Sequence, residues 1–552
     1  ATTGNITQIG ALTIGGTTTL LTSGEGGIID LGTTSNKFTG ALLITTNDNT
    51  DGSDGLYEAD VTIDGGEIAA LVIGTSTIDG DLTLKNGNVS GITDAVGATV
   101  TVKGDLKATT DNNSGVINLG DDNRLAVSGK FQLITDGTGD ATVVNSTGLN
   151  FITAKVGGDF SATATNGAIT QDAAFDIDGT TNVYSATEDN IILSKAGNDF
   201  SGAVWFRGGG VFIKDKNNID FGTSNSTATK IYDGYTLKVI AKNNITDSGN
   251  LKVTGGGNAY FGTNNEETDN VIVLNSSGNV FEGTLTLEGG IGHLVNSSAA
   301  VILEAMILAG DLDVTTTGGT VTDIGVLNVS GLTTITATGF DVTLDGDGVN
   351  YNNFGDDVEI AADDVVLKAT GDINFGVSTV TGDFEITAGG DVTQSPLPSQ
   401  QLTINGTGKT IHITGDDIML NNAANNFVSA VKITTSGSDV ELADVGDIIL
   451  GASTVSGYYK VTAGGTVTQS GALTITGVTT IAAQNTAGTT NYAVTLTEAL
   501  NDFTGAVGVT GATVRLTDTN DLVLGDTTTT GAYTVIAGGG ITDSGALTIG
   551  TT

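Results

Sequence analysis

Along the whole 552-residue chain, apolar side chains alternate with polar ones in very short runs. Near the end, the runs read Val507/Val509, Val514/Leu516, Leu522/Leu524, Tyr533/Val535 and Leu547/Ile549. Alternation at period two marks a strand with one buried face. Segments such as TAGG, DSG and TGA separate the runs and carry turn chemistry. Two or three inward residues per run predict strands too short to stand alone. Three of them would close one coil of roughly 20 residues, and such coils gain stability only by stacking.

The alternation is organised into a long repeat. An apolar leader followed by Thr-Gln or Thr-Asp recurs at Ile6, Ile92, Ile169, Ile245, Val321, Val392, Val467 and Ile541. The intervals are 86, 77, 76, 76, 71, 75 and 74 residues, a regularity that marks a repeat architecture. An Asn-x-Phe marker follows six of the eight leaders, with Phe38, Phe200, Phe281, Phe354, Phe427 and Phe503 as expected core residues. In the second repeat Leu125 is read as their counterpart. The prediction is an all-β fold: one continuous β-solenoid over 1–552, with seven units of about 75 residues and about 27 coils. A tandem of β-sandwich domains is the rival, but it calls for longer strands and for linkers, and the sequence has none.

Composition sharpens this picture. Glycine accounts for 82 residues, proline for two, and 38% of the chain is hydrophobic, mainly β-branched and aliphatic. Little helix is expected from such a mixture. One stretch, AAVILEAMILAG at Ala299–Gly310, is ambiguous, but it is too short to span a membrane and carries Glu304. No membrane insertion is expected. The formal net charge of −42 excludes nucleic acid as a partner, which would need a basic face. The acids are read as solubilising charge, with divalent-cation binding as the sharper alternative. The absence of cysteine removes disulfides, thiolate catalysis and thiolate metal sites.

Several elements together carry a resemblance: NDFTGAV at Asn501–Val507, DLVLG at Asp521–Gly525 and STVSGYYKVTAGGTVTQSGALTI at Ser453–Ile475. These resemble the repeats of giant filamentous haemagglutinin-like bacterial exoproteins. The resemblance implies a right-handed parallel β-helix, export of the two-partner-secretion type and an extracellular or cell-surface location. It also implies roles as fibres, adhesins or toxin-delivery stalks. The Asn-Pro motifs of that family's secretion domain do not occur in this sequence.

Candidate chemistry is sparse. His293 and His412 are the two histidines, and His412 alternates between Ile411 and Ile413, which places it outward. Adjacent acids at Asp121/Asp122, Asp356/Asp357, Asp363/Asp364 and Asp416/Asp417 keep a polysaccharide-cleaving β-helix enzyme among the readings. Neighbours on a strand point to opposite faces, so such pairs do not by themselves converge. Trp205 and Arg207, in GAVWFRG, should both face out, available to a sugar or a neighbouring subunit. The long first interval carries NDNTDGSDGLYE, in which Asn47, Asn49, Asp51, Gly52 and Glu58 have the spacing of a calcium loop. A polar surface insertion is the alternative.

The chain starts within one leader element and stops within another, at the same phase. The expectation is a non-enzymatic structural fibre, either part of a longer array or stacked end-to-end or laterally with copies of itself. An adhesin stalk binding glycans or cells is the alternative, and no cofactor beyond calcium is called for. If the Asn47–Glu58 loop holds calcium, millimolar calcium should raise the melting temperature and Glu58→Gln should abolish the rise. An equal melting temperature with calcium and with chelator would remove the cation from the account.

Overall fold

The predicted alternation forms strands, and each pairs in parallel with the strand one coil away. The computed structural model describes residues 4–32, 35–48, 58–111, 113–224, 227–263, 270–298, 300–395, 397, 399–435 and 438–550, and no helix occurs among them. The chain divides between Thr284 and Leu285 into two compact units. Each is a parallel β-solenoid, and the whole has about 25 turns, the all-β right-handed β-helix class that was expected. The calcium-loop positions Asn49, Asp51 and Gly52 lie outside the described residues.

Within each unit two sheets, here called front and back, face each other across the core. A coil is one longer strand on one sheet and two short strands on the other. In the first unit Leu237–Ala241 lies on the back sheet, and Ile245–Asp247 and Leu251–Val253 follow on the front. Three strands per coil follows from the two or three inward residues available to each run. The ambiguous apolar stretch obeys the same rule. It forms the strands Ala300–Leu303 and Met306–Leu308, with Val301, Leu303, Met306 and Leu308 buried and Ile307 exposed.

The repeat is three and a half turns long. In the first unit Ile6 and Ile169 lie on the back sheet, whereas Ile92 and Ile245 lie on the front. In the second unit Val321 and Val467 share one sheet, and Val392 and Ile541 the other. From Val392 the column climbs through Ile418, Val440 and Tyr459, which is three turns. Val467 then opens the next repeat half a turn later on the opposite sheet. That half turn lowers the total from the expected 27 coils.

The six marker phenylalanines are buried, none more than 7% exposed. Each stands opposite an apolar residue one coil away, as Phe200 faces Ile177, Phe427 faces Ile404 and Phe503 faces Ile475. In the second repeat it is Val127, opposite Val102, that takes this place. Leu125 is two residues early and corresponds to the asparagine of the marker. Elsewhere in the first unit Phe151, Phe160 and Phe175 meet edge-on with centroids 5.3–5.6 Å apart. Such pairs contribute about 1 kcal/mol each beyond the area they bury.

That asparagine explains the Thr-Gln and Thr-Asp of the leader. Asn501 is fully buried, and its Oδ1 accepts the Leu473 N–H at 2.9 Å and the Gln469 side-chain amide at 2.8 Å. Its Nδ2 donates back to Gln469 Oε1 at 3.0 Å. Asn198 with Gln171, Asn425 with Gln394 and Asn36 with Gln8 form the same reciprocal amide pair. Where the leader ends in aspartate, Asn279 donates to Asp247 and Asn352 to Asp323. Leu125 removes the rung in the second repeat, where Asp94 keeps only the Gly120 N–H, the counterpart of the Asn275 N–H on Asp247 and the Asp345 N–H on Asp323.

A second ladder runs along the turns. The N–H of the residue entering each strand donates to the carboxylate or amide oxygen of its counterpart one coil below. Asp391 donates to Asp372 at 2.9 Å, Asp417 to Asp391 at 3.0 Å, Asp439 to Asp417 at 2.8 Å and Tyr458 to Asp439 at 2.8 Å. Asp60, Asp81 and Asp105 form a similar column in the first unit. Where a glycine precedes the donor, as before Asp391 and Tyr458, it makes room for the carboxylate below. A Cβ on Gly390 would lie 2.0 Å from Asp372 Oδ1, and one on Gly457 2.1 Å from Asp439 Oδ1. Gly390 and Gly457 thus meet a packing requirement, whereas Asp416 and Ser438 hold the same place before Asp417 and Asp439, and much of the acidity is hydrogen-bonding chemistry for the backbone.

Asn501→Ala would orphan the Leu473 N–H and the Gln469 amide, each at a cost of about 1–3 kcal/mol. We expect local destabilisation of about 3 kcal/mol or more. Because repeat arrays open locally, amide exchange is the right measurement. Exchange should accelerate in the 467–475 and 501–503 strands, whereas Leu125→Asn should be tolerated, since Asn279 and Asn352 already show such a rung beside aspartate. Unchanged protection in Asn501→Ala would refute the rung's role.

Candidate functional site

The outward residues of the first unit's front sheet bring together side chains far apart in sequence. In the strand Val204–Gly208, Val204 and Phe206 are buried, so Trp205 and Arg207 face out. Parallel register stacks Tyr184 on Arg207, Arg207 on Lys230 and Lys230 on Lys252. The Arg207 guanidinium lies 5.4 Å from the Tyr184 ring and 5.7 Å from the Tyr232 ring. Lys230 Nζ is 5.6 Å from the Tyr232 ring. Trp205 packs 6.4 Å from Tyr184, and its Nε1 donates to the Thr227 and Ala228 carbonyls at 3.0 and 3.1 Å. Burial pushes the Tyr184 hydroxyl above its ordinary pKa, and a hydrogen bond with Tyr232 adds to this.

The back sheet of the same unit carries a smaller version. Lys238 Nζ is 4.8 Å from the Tyr260 ring and 5.5 Å from the Phe212 ring, in register with both. Exposed cation–aromatic contacts are worth about 0.5–1 kcal/mol each. Here they stand where ion pairs stand elsewhere. Of the 20 Lys and Arg, eight fall between Lys195 and Lys252, against five acids. Among the described residues, Lys216 alone of these eight has a carboxylate within 4.0 Å, Asp199 at 2.7 Å. Eight of the other twelve bases have one.

The other candidates do not converge on one centre. Of the calcium-loop positions, Asn47 is half-buried and Glu58 exposed, and the Glu58 N–H donates to the buried Asp48. Asp94, Asp121 and Asp122 place their oxygens within 4.8 Å of one another, as do Asp341, Asp363 and Asp364. Asp94 is pushed above the usual carboxylate range, first by burial and then by the charges of Asp121 and Asp122. The acidic pairs sit at turns, except that Asp357 opens the strand Asp357–Ala362, and Asp364 and Asp417 are ladder members. His293 lies 3.5 Å from Asp313. His412 is half-buried, and desolvation followed by the Lys432 charge lowers its pKa.

In the second unit a shallow groove of about 640 Å³ has Glu441 and Lys460 on its floor. Glu441 accepts from Asn421, Tyr458 and Lys460, which holds it below the usual carboxylate range. The Tyr458 hydroxyl is correspondingly pushed up to about 12, by burial and by Glu441. Glu441 is the one acid lining this groove among the described residues. A carboxylate so fixed is a poor proton donor, and it lacks the partner acid of a glycosidase.

Comparison with known proteins adds the family. The sequence matches the family described as Repeats of unknown function (DUF5649) over residues 1–45, 58–129, 138–206, 208–288, 292–361, 362–434, 437–510 and 511–552. The chain belongs to this repeat family. The break at residues 46–57 coincides with the extra length of the first interval, so Asn47, Asn49, Asp51 and Gly52 interrupt the family pattern and Glu58 lies where it resumes. No curated protein and no solved structure matches the chain.

Trp205 and Arg207 were legible as outward residues, but Tyr184, Lys230, Tyr232 and Lys252 were not, since their proximity comes from coil register. The excess of bases over acids at 195–252 was the available signal. The recurrence of Gly-Asp at strand entries was the signal for the turn ladder.

A pH dependence follows from one buried carboxylate beside this region. Asp215, 3% exposed, accepts the N–H groups of Phe200 and Asn217, yet burial raises its pKa to about 6. The raised value means that its stabilising contribution is complete below the unfolded value of about 3.8 and lost as pH rises through about 6. The shift corresponds to about 3 kcal/mol between those limits. The melting temperature should fall less between pH 4 and 7 in Asp215→Asn than in the parent, and equal falls would refute the assignment. Asn145, buried at the corresponding place opposite Val127, indicates that the fold accepts the amide.

Proposed function

We propose that this chain is a structural segment of an extracellular filament or cell-surface fibre, assembled from copies of itself or forming part of a larger repeat protein. The observation that carries this reading is where the acids are used. Asp372, Asp391, Asp417 and Asp439 each cap the backbone of the next coil instead of converging in a cleft. A chain that commits its functional groups to holding coil upon coil is organised for length and stiffness. The extracellular, bacterial location rests on the haemagglutinin-like resemblance of the repeats.

An adhesin stalk is the second reading, favoured by the outward Trp205, Tyr184 and Arg207, which offer ring faces and a cation to a glycan. Polysaccharide cleavage is least supported, given the single fixed acid of the Glu441 groove. Negative-stain electron microscopy of material purified from its native source distinguishes the first reading. Fibres longer than one chain are expected, and discrete single-chain particles at high protein concentration would sink it. A glycan array would favour the adhesin reading if binding were lost in Trp205→Ala.

A further inference from the structure

The cation column on the front sheet of the first unit has a counterpart of opposite charge in the second. Arg207, Lys230 and Lys252 occupy three successive coils in register. Asp372, Asp391, Asp417 and Asp439 occupy four successive coils in register at the strand entries of the second unit. Both columns are solvent-accessible, the aspartates from half-buried to exposed. Both repeat once per coil, at the inter-strand spacing of about 4.8 Å. Among the described residues none of these seven groups lies within 4.0 Å of a charge of opposite sign.

We propose that the Arg207–Lys230–Lys252 column docks against the Asp372–Asp391–Asp417–Asp439 column of a second copy of this chain. Equal pitch lets three charge pairs form together without deforming either backbone, so the contact selects register as well as partner. The flanking Tyr184 and Tyr232 rings hold Arg207 in place, which reduces the ordering cost of the contact. The net charge of −42 opposes indiscriminate association, so the positive stripe selects the lateral position. An acidic polysaccharide is the competing occupant. The second copy is preferred because it also accounts for the unneutralised aspartate column. The proposal rests on the structural reading above only in taking copies of the chain as partners, and it needs no end-to-end contact.

Sedimentation velocity of the full chain tests it. Association is expected at roughly 0.01 M salt and dissociation to single chains at roughly 1 M, where the Debye length falls to about 3 Å. The triple variant Arg207→Gln, Lys230→Gln, Lys252→Gln should associate roughly tenfold more weakly or worse. So should Asp391→Asn, Asp417→Asn, Asp439→Asn, which keeps Oδ1 as acceptor for the next coil and therefore keeps the fold. Circular dichroism checks folding in both. Mixing the two variants should restore association, because one retains the acids and the other the bases. Association that is insensitive to salt, or unchanged in either variant, overturns the proposal. Polygalacturonate binding that depends on the cation column, with no self-association of the parent chain, would assign the stripe to a polysaccharide instead. Fibre length by microscopy is scored separately, so failure of the end-to-end reading is distinguishable from failure of this one.

Discussion

In-register parallel stacking puts each residue about 4.8 Å from its counterpart one coil away, and most of the chemistry of this chain follows from that constraint. Like therefore meets like. A carboxylate at a strand entry meets another carboxylate, at a cost of about 1 kcal/mol in water for two unit charges at that distance. The chain offsets this by making each carboxylate the acceptor for the next backbone N–H, a charge-assisted bond worth about 1.5–3 kcal/mol. Asp372, Asp391 and Asp417 show the solution in succession. At Gly390, before Asp391, and at Gly457, before Tyr458, glycine is the steric condition for it, since the carboxylate below occupies the place of a Cβ.

The same constraint acts differently on the buried and the exposed faces. Inside, an asparagine amide satisfies a backbone N–H and a glutamine at once, and the reciprocal Asn501–Gln469 pair leaves both of its bonded groups partnered. Apolar stacking alone would tolerate a slip of two residues along a strand. The amide rung does not, so it sets register where the flanking strands are only two or three residues long. Outside, the register sets Arg207 against Lys230. Tyr184 and Tyr232 intervene as ring faces, which attract cations without neutralising them.

The half turn in each repeat gives both sheets the same chemistry in alternation. Leaders and amide rungs appear on the front in one repeat and on the back in the next, so neither face is dedicated to the core-setting elements. Departures from this alternation therefore stand out. One is Leu125, where the rung is missing and Asp94 is left among Asp121 and Asp122. Another is the positive, aromatic-lined stretch at 195–252 in an otherwise acidic chain.

The order of residues alone specifies the all-β class, the repeat, the short strands and the burial of the marker phenylalanines. Those properties live in local alternation and in spacing, which survive without knowledge of what lies above or below. It also placed Trp205 and Arg207 on an outer face, because alternation about Val204 and Phe206 suffices for that. What it left open was set by which residue lies one coil away: the half-integer repeat, the place of Val127, the pairing of the leader glutamine with the marker asparagine, and the Tyr184–Arg207–Tyr232 stack. Coil length varies from turn to turn, so neighbours in space fall at no fixed interval in sequence. Only the folded register, in which backbone hydrogen bonds fix each strand against the next, decides which side chains meet.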